Sequence, residues 1–226
     1  MKKTELIQEI REAAIIAIIR GVEHEKLPPL LDALAAGGIR FAEITFDQTG
    51  RTSGEETAQS IAELKKHMAG RMHIGAGTVM TVGQAEQAMQ AGAEFLISPN
   101  VNPEVIRHTV AAGCVSIPGA MTPTEAAMAY DSGADFVKIF PADTLGLPYL
   151  KALMAPLAHI PFLAVGGVNE ENIGDFLSAG LAGVGVGSAL TPIEWIANES
   201  YQQITEHANR YCNVVQNHRN YFGKRA

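Results

Sequence analysis

The sequence is poor in the residues that mark several large protein classes. Its two cysteines, Cys114 and Cys212, are too few for a disulfide framework and show no metal-ligand spacing. The seven histidines are scattered, with no H-x-H or H-x-x-x-H pair, so no zinc site is legible. Basic residues are outnumbered, 17 Lys and Arg against 24 Asp and Glu, which leaves a net charge of −7. That balance argues against a nucleic-acid partner, whose footprint is usually a basic patch. It also means that an anionic ligand must be gripped by local groups against a repulsive overall field. No apolar run reaches membrane-spanning length without a Gly, a Pro or a charge, so no membrane partner is expected. The start, Met1-Lys2-Lys3-Thr4-Glu5, leads into a charged amphipathic stretch and does not read as a signal peptide. The expectation is a cytoplasmic protein. Linkers rich in Pro or Ser are missing too, so residues 1–226 are read as a single domain.

What is there is a rhythm. The chain has 226 residues, 47% of them apolar, enough for a substantial core. Short β-rich apolar runs alternate with helical patterns about eight times. The predicted strands are Ile15–Arg20, Phe41–Phe46, His73–Thr78, Phe95–Pro99, Val115–Gly119, Phe136–Pro141, Phe162–Gly167 and Ala182–Ser188. Helix starts carry capping patterns, clearest at Thr122–Glu125 and Asn169–Asn172. Gly92, Gly113, Gly133 and Gly180 stand where helices should end, before a strand. Strand–helix alternation with short connections implies a parallel sheet. Eight units of this size suit a closed (β/α)8 TIM barrel, with an N-terminal helix over roughly Thr4–Ala13 covering its bottom and a long helical stretch after Pro192. The alternative, an open doubly wound sheet, would usually show a G-x-G-x-x-G loop after the first strand, where this chain has Arg20-Gly21-Val22.

Three of these strands carry charge where charge is costly. In Phe136-Val137-Lys138-Ile139-Phe140, alternation puts Phe136, Lys138 and Phe140 on one face and leaves Val137 and Ile139 to pack on helices. Lys138 then points into the barrel, where desolvation lowers its pKa. A neutral amine is what attack on a ketone requires. The alternative is a structural lysine paired with a barrel carboxylate. In Phe41-Ala42-Glu43-Ile44-Thr45, Glu43 points inward as well, either as a proton shuttle or as a neutralising partner for Lys138. Arg20, at the end of the first strand, is placed either to fork onto a carboxylate or to pair with Asp47 or Glu43. Asp47 is otherwise read as a loop cap.

The last two strands end in Val165-Gly166-Gly167 and Gly185-Val186-Gly187-Ser188. Loops in these positions, with a following helix N-terminus, often cradle phosphate in barrels. Close packing at the barrel's taper is the competing explanation. Thr78 could donate to a carboxylate and Pro99 could form an apolar wall, although structural roles account for both more simply.

With these residues in view, the chain resembles the 2-keto-3-deoxy-6-phosphogluconate / 4-hydroxy-2-oxoglutarate aldolase family, from about Ile15 to Leu190. The segment Gly133-Ala134-Asp135-Phe136-Val137-Lys138-Ile139-Phe140-Pro141-Ala142, ending at Gly146, looks like its Schiff-base lysine signature. Gly38-Ile39-Arg40-Phe41-Ala42-Glu43-Ile44-Thr45 looks like its catalytic-glutamate signature. Gly75–Val79, Ile97-Ser98-Pro99 and Ile117-Pro118-Gly119 also stand where the family has them. The resemblance implies a homotrimeric barrel without metal or cofactor. Its substrate would be a phosphorylated keto acid, cleaved to pyruvate and an aldehyde. Lys138 and Glu43 would be catalytic, with Arg20, Thr78, Pro99, Phe140, Val165, Gly166, Gly167, Gly187 and Ser188 around the substrate. Asp47 stands where many members carry an Arg that holds the substrate carboxylate, which moves that grip to Arg20, as in another branch. Val165 replaces the Thr of some members, so gluconate and galactonate stereochemistry both stay open. A 4-hydroxy-2-oxoglutarate aldolase, a non-covalent phosphate-binding isomerase or synthase, and a non-catalytic sugar-phosphate sensor are the alternatives.

Overall fold

The alternation of apolar runs and helical patterns folds as a ring. The computed structural model describes residues 2–222. Its strands are β1 (Ile15–Ile19), β2 (Phe41–Thr45), β3 (His73–Gly77), β4 (Phe95–Ile97), β5 (Val115–Ile117), β6 (Gly119–Ala120), β7 (Val137–Ile139), β8 (Phe162–Val165) and β9 (Gly183–Val186). Every pairing is parallel, in the order β5-β4-β3-β2-β1-β9-β8-β7-β6. The two ends of that order, β5 and β6, are consecutive in the chain and separated only by Pro118. The expected fifth strand is thus present but split, because proline has no N–H to offer the ladder. The Pro118 carbonyl still accepts from the Lys138 amide at 2.8 Å, and Ser98 donates to the Ile117 carbonyl at 3.2 Å, so hydrogen bonds run on around the ring. The result is a (β/α)8-type barrel. Each strand ends one or two residues earlier than the apolar run that predicted it, except at the fifth position, where the run is cut in two.

Between the strands lie α2 (Leu27–Ala36), α3 (Gly54–His67), α4 (Val82–Gln90), α5 (Pro103–Ala111), α6 (Pro123–Asp131), α7 (Ala142–Met154) and α8 (Ile173–Ser178). The predicted stretch after Pro192 is two helices, α9 (Ile193–Ala197) and α10 (Tyr201–Phe222), parted at Glu199, whose φ is +54°. The cap at Thr122 forms as expected: its hydroxyl accepts from the Glu125 amide at 3.3 Å, and Glu125 accepts from the Thr122 amide at 2.8 Å. Asn169 and Asn172 form the same reciprocal pair, at 2.8 and 3.1 Å, yet α8 starts only at Ile173. Gly92, Gly113, Gly133 and Gly180 all take the left-handed conformation that ends a helix.

The inner face of the barrel is layered. The lower layer is apolar: Phe41, Phe95, Phe136, Ile16, Val115 and Leu163 meet Leu6 and Ile10 of α1 (Lys3–Ala13), which plugs the bottom. Burying Ile10, 1% exposed, is worth roughly 1.5–3 kcal/mol. Glu9 fastens the same helix through Arg40 and through His73, the latter at 3.2 Å. Two residues further along β2 and β7 the same face carries Glu43 and Lys138, so alternation lifts both into the next layer, towards the C-terminal mouth. Val137 and Ile139 pack outward with the helices, as alternation requires. Among the described residues, no helix is long and apolar enough to cross a membrane.

Candidate active site

The mouth of the barrel holds a cavity of about 420 Å³. Lys138 and Glu43 form its floor, 6% and 1% exposed. Glu43 fits there because β3 carries Gly77 alongside. A Cβ at Gly77 would stand 2.6 Å from the Glu43 carboxylate. In the sequence Gly77 lies inside the predicted strand His73–Thr78 and in the family-like segment Gly75–Val79. Its signal was that a glycine inside a strand often marks close approach of another group.

Burial sets the chemistry of the pair. Loss of solvent pushes the Glu43 carboxyl up to about 7, against the pull of the Lys138 and Arg20 charges. Burial likewise pushes the Lys138 ammonium down; Glu43 opposes that shift and Arg20 adds to it. Among the described residues, no hydrogen bond or ion pair joins the two side chains, and Glu43 Oε2 is buried without a hydrogen-bond partner. The alternative of a simple structural Lys–Glu pair therefore has no contact behind it. An unpaired buried carboxylate oxygen costs about 1–3 kcal/mol or more.

Arg20, exposed at the rim, lines the cavity and donates to the Thr78 hydroxyl at 3.3 Å. It pairs with neither Asp47 nor Glu43. Asp47 instead folds its own loop, accepting from the amides of Thr49 (3.0 Å), Arg51 (2.6 Å) and Thr52 (3.1 Å). These donors, led by Thr49, hold its carboxyl well below the usual carboxylate range. Thr78 is the one residue of the expected set that does not line the cavity. It lies behind Arg20, with φ at +57°, a conformation that few β-branched residues adopt. Gln48 braces it by donating to its carbonyl at 3.4 Å.

Pro99 and Val165 line the sides of the cavity. Phe140 sits over Lys138, with Nζ 4.8 Å from its ring centroid, yet it is 40% exposed. It is a flap at the mouth rather than a buried wall, because β7 ends at Ile139 and the chain turns outward there.

The far side is made by Gly166 and Gly167 after β8 and by Gly187 and Ser188 after β9. Gly166 and Gly167 have φ of +94° and +68°. Among the described residues, the backbone N–H groups of Gly166, Gly167, Ser188 and Ala189 donate to no protein acceptor. Four free donors lining one cavity can bind an anion. The helices that follow have only six and five residues, and α8 begins well past the loop, so the donors are loop amides rather than a helix end. Asn169 also lines the cavity, and Asn172 fixes the loop by donating to the Gly167 carbonyl at 2.9 Å. In the sequence both are legible only as a helix cap.

Comparison with known proteins gives the family. The family model for KDPG and KHG aldolase matches residues 6–207. A 2-dehydro-3-deoxy-phosphogluconate aldolase of Treponema pallidum is 33% identical over 211 residues, covering 93% of this chain and 97% of that protein. A 2-dehydro-3-deoxy-6-phosphogalactonate aldolase of Escherichia coli is 34% identical over 203 residues, covering 89% and 96%. The fold superposes with a TM-score of 0.81 on a KDPG aldolase from Legionella pneumophila, 31% identical, covering 92% and 97%, whose crystal structure holds pyruvate as a covalent carbinolamine. The chain therefore belongs to the KDPG and KHG aldolase family, and is an aldolase, a carbon–carbon lyase.

Proposed function

We propose that this aldolase cleaves a 2-keto-3-deoxy-6-phospho sugar acid, of gluconate or galactonate type, to pyruvate and glyceraldehyde 3-phosphate through a Schiff base on Lys138. The observation that carries the reading is a desolvated lysine beside an unpartnered buried carboxyl, in a cavity whose far wall presents free backbone donors. Neutral Nζ attacks the C2 ketone to give a carbinolamine, and loss of water leaves a protonated imine. Glu43, as carboxylate, takes the proton of the C4 hydroxyl. The C3–C4 electron pair moves towards the imine, forming an enamine, and the aldehyde leaves. Glu43 returns its proton to C3, and water releases pyruvate from Lys138. The carbinolamine in the Legionella relative supports the first step.

Arg20 grips the substrate carboxylate, with Thr78 holding the guanidinium in place. Pro99 and Phe140 flank the imine, and Val165 lies along the substrate chain. Gly166, Gly167, Gly187 and Ser188 hold the phosphate. The free donors of that wall favour a phosphorylated substrate over 4-hydroxy-2-oxoglutarate. The protein works in the cytoplasm as a homotrimer in this reading. Two free thiols suit a reducing compartment, and exposed Met121, Met128 and Tyr130 on and beside α6 offer an apolar face to a second copy.

The deciding test is mass spectrometry after incubation with pyruvate and borohydride. A pyruvate-sized adduct on the peptide containing Lys138 supports the covalent route; no adduct on folded protein sinks it. Arg20→Met is expected to raise KM about 10- to 100-fold, the worth of a charge-assisted hydrogen bond, with a smaller change in kcat. An unchanged KM in steady-state assays would place the carboxylate elsewhere.

A further inference from the structure

The two loops that carry the free donors are separate in sequence, and neither bonds to the other through its own side chains. Both are instead tied to α10. Tyr211 is the largest fully buried side chain among the described residues, 1% exposed. Its hydroxyl donates to the Ala189 carbonyl at 3.3 Å, next to Ser188 in the loop after β9. The preceding residue of α10 reaches the loop after β8: Arg210 Nε donates to Glu170 Oε2 at 3.0 Å. His207 Nε2 lies 3.7 Å from that same oxygen, its ring wedged edge-on between Trp195 and Tyr211. Glu170 directly follows Asn169 at the cavity wall. Tyr211 and Arg210 lie beyond the residues that the family model matches, which end at 207.

We infer that α10 sets the spacing of the anion cradle, with Tyr211 and Arg210 as positioning residues that hold its two loops in register. Neither touches substrate. Four amides must converge on one anion, and a shift of either loop by a fraction of an ångström lengthens half of those bonds. A helix anchored to both loops suppresses that shift. The inference rests on the reading of the cavity's far wall as a phosphate site. It adds to it a determinant of affinity for the phosphorylated end, separate from the chemistry at Lys138.

The test uses inorganic phosphate as the probe, titrated calorimetrically into the full chain and into Tyr211→Phe, Arg210→Met and the double variant. Phe keeps the buried volume, and Arg210 is half exposed, so at least one variant folds even if the other does not. Phosphate affinity is expected to fall roughly three- to tenfold in each single variant and further in the double. KM for the phosphorylated substrate rises in step, while kcat and borohydride trapping of pyruvate on Lys138 stay at wild-type levels. Phosphate affinity that is unchanged in the double variant overturns the inference. So does absence of phosphate binding by the wild type, or a parallel loss of pyruvate trapping, which would reveal a general structural role. If the wild type binds phosphate but traps no pyruvate, the Schiff-base reading falls and the titration still decides the role of α10.

Discussion

Lys138→Ala is expected to abolish aldol cleavage, with a loss in kcat on the order of 10⁴-fold or more, while the protein stays folded. No neighbouring group can replace it. Among the described residues, the cavity holds only one other cation, Arg20, and a guanidinium does not deprotonate in a protein. The borohydride-dependent pyruvate adduct disappears with it. Lys138→Met serves as the companion variant, since it keeps the side-chain volume and leaves Phe140 something to rest on. Coupled pyruvate release measures the outcome, with circular dichroism as the folding control. Full activity in either variant would mean that Lys138 is no nucleophile, and a non-covalent barrel reaction would take the place of the imine.

Glu43→Gln is expected to lower kcat by roughly 10²–10⁴-fold and to leave the pyruvate adduct on Lys138 largely intact. The amide keeps the shape of the carboxyl and cannot carry its proton. In the wild type, activity rises with pH as Glu43 ionises around its pKa of about 7, and this limb of the profile vanishes in the variant. Stability follows the opposite course. Glu43 binds its proton more tightly in the folded protein, about 7 against the ordinary 4.5. The folded state therefore holds the extra proton between those values, and the stabilisation it gives is lost as pH rises through that window. The difference, 7 − 4.5 = 2.5 pH units, corresponds to roughly 3 kcal/mol. Between pH 5 and pH 8 the variant should gain up to about that much on the wild type in urea denaturation. Parallel denaturation profiles for the two proteins would show that the carboxyl is not confined as the structure has it.

Much of this was legible because it depends on local periodicity. A lysine in Phe136-Val137-Lys138-Ile139-Phe140 must face the way Phe136 does, whichever sheet the strand joins, and both point into the barrel. The same holds for Glu43 after Phe41. Glycines at helix ends were legible because the left-handed turn is a property of single residues. The alternatives left open at Arg20 were not, since its choice between Asp47 and a ligand depends on a loop conformation. Asp47 accepts from the amides of Thr49, Arg51 and Thr52, and only the folded loop brings those donors round to it.

The sequence by itself determined the strand–helix alternation, the inward direction of Lys138 and Glu43 and the glycine-rich ends of the last two barrel strands, because each follows from spacing along one segment. Tertiary contacts alone set the room for Glu43 beside Gly77, the place of Thr78 behind Arg20 rather than in the cavity, and the reach of α10 to both glycine-rich loops. Those facts depend on distances between segments far apart in the chain, which ring closure fixes and which no local pattern records.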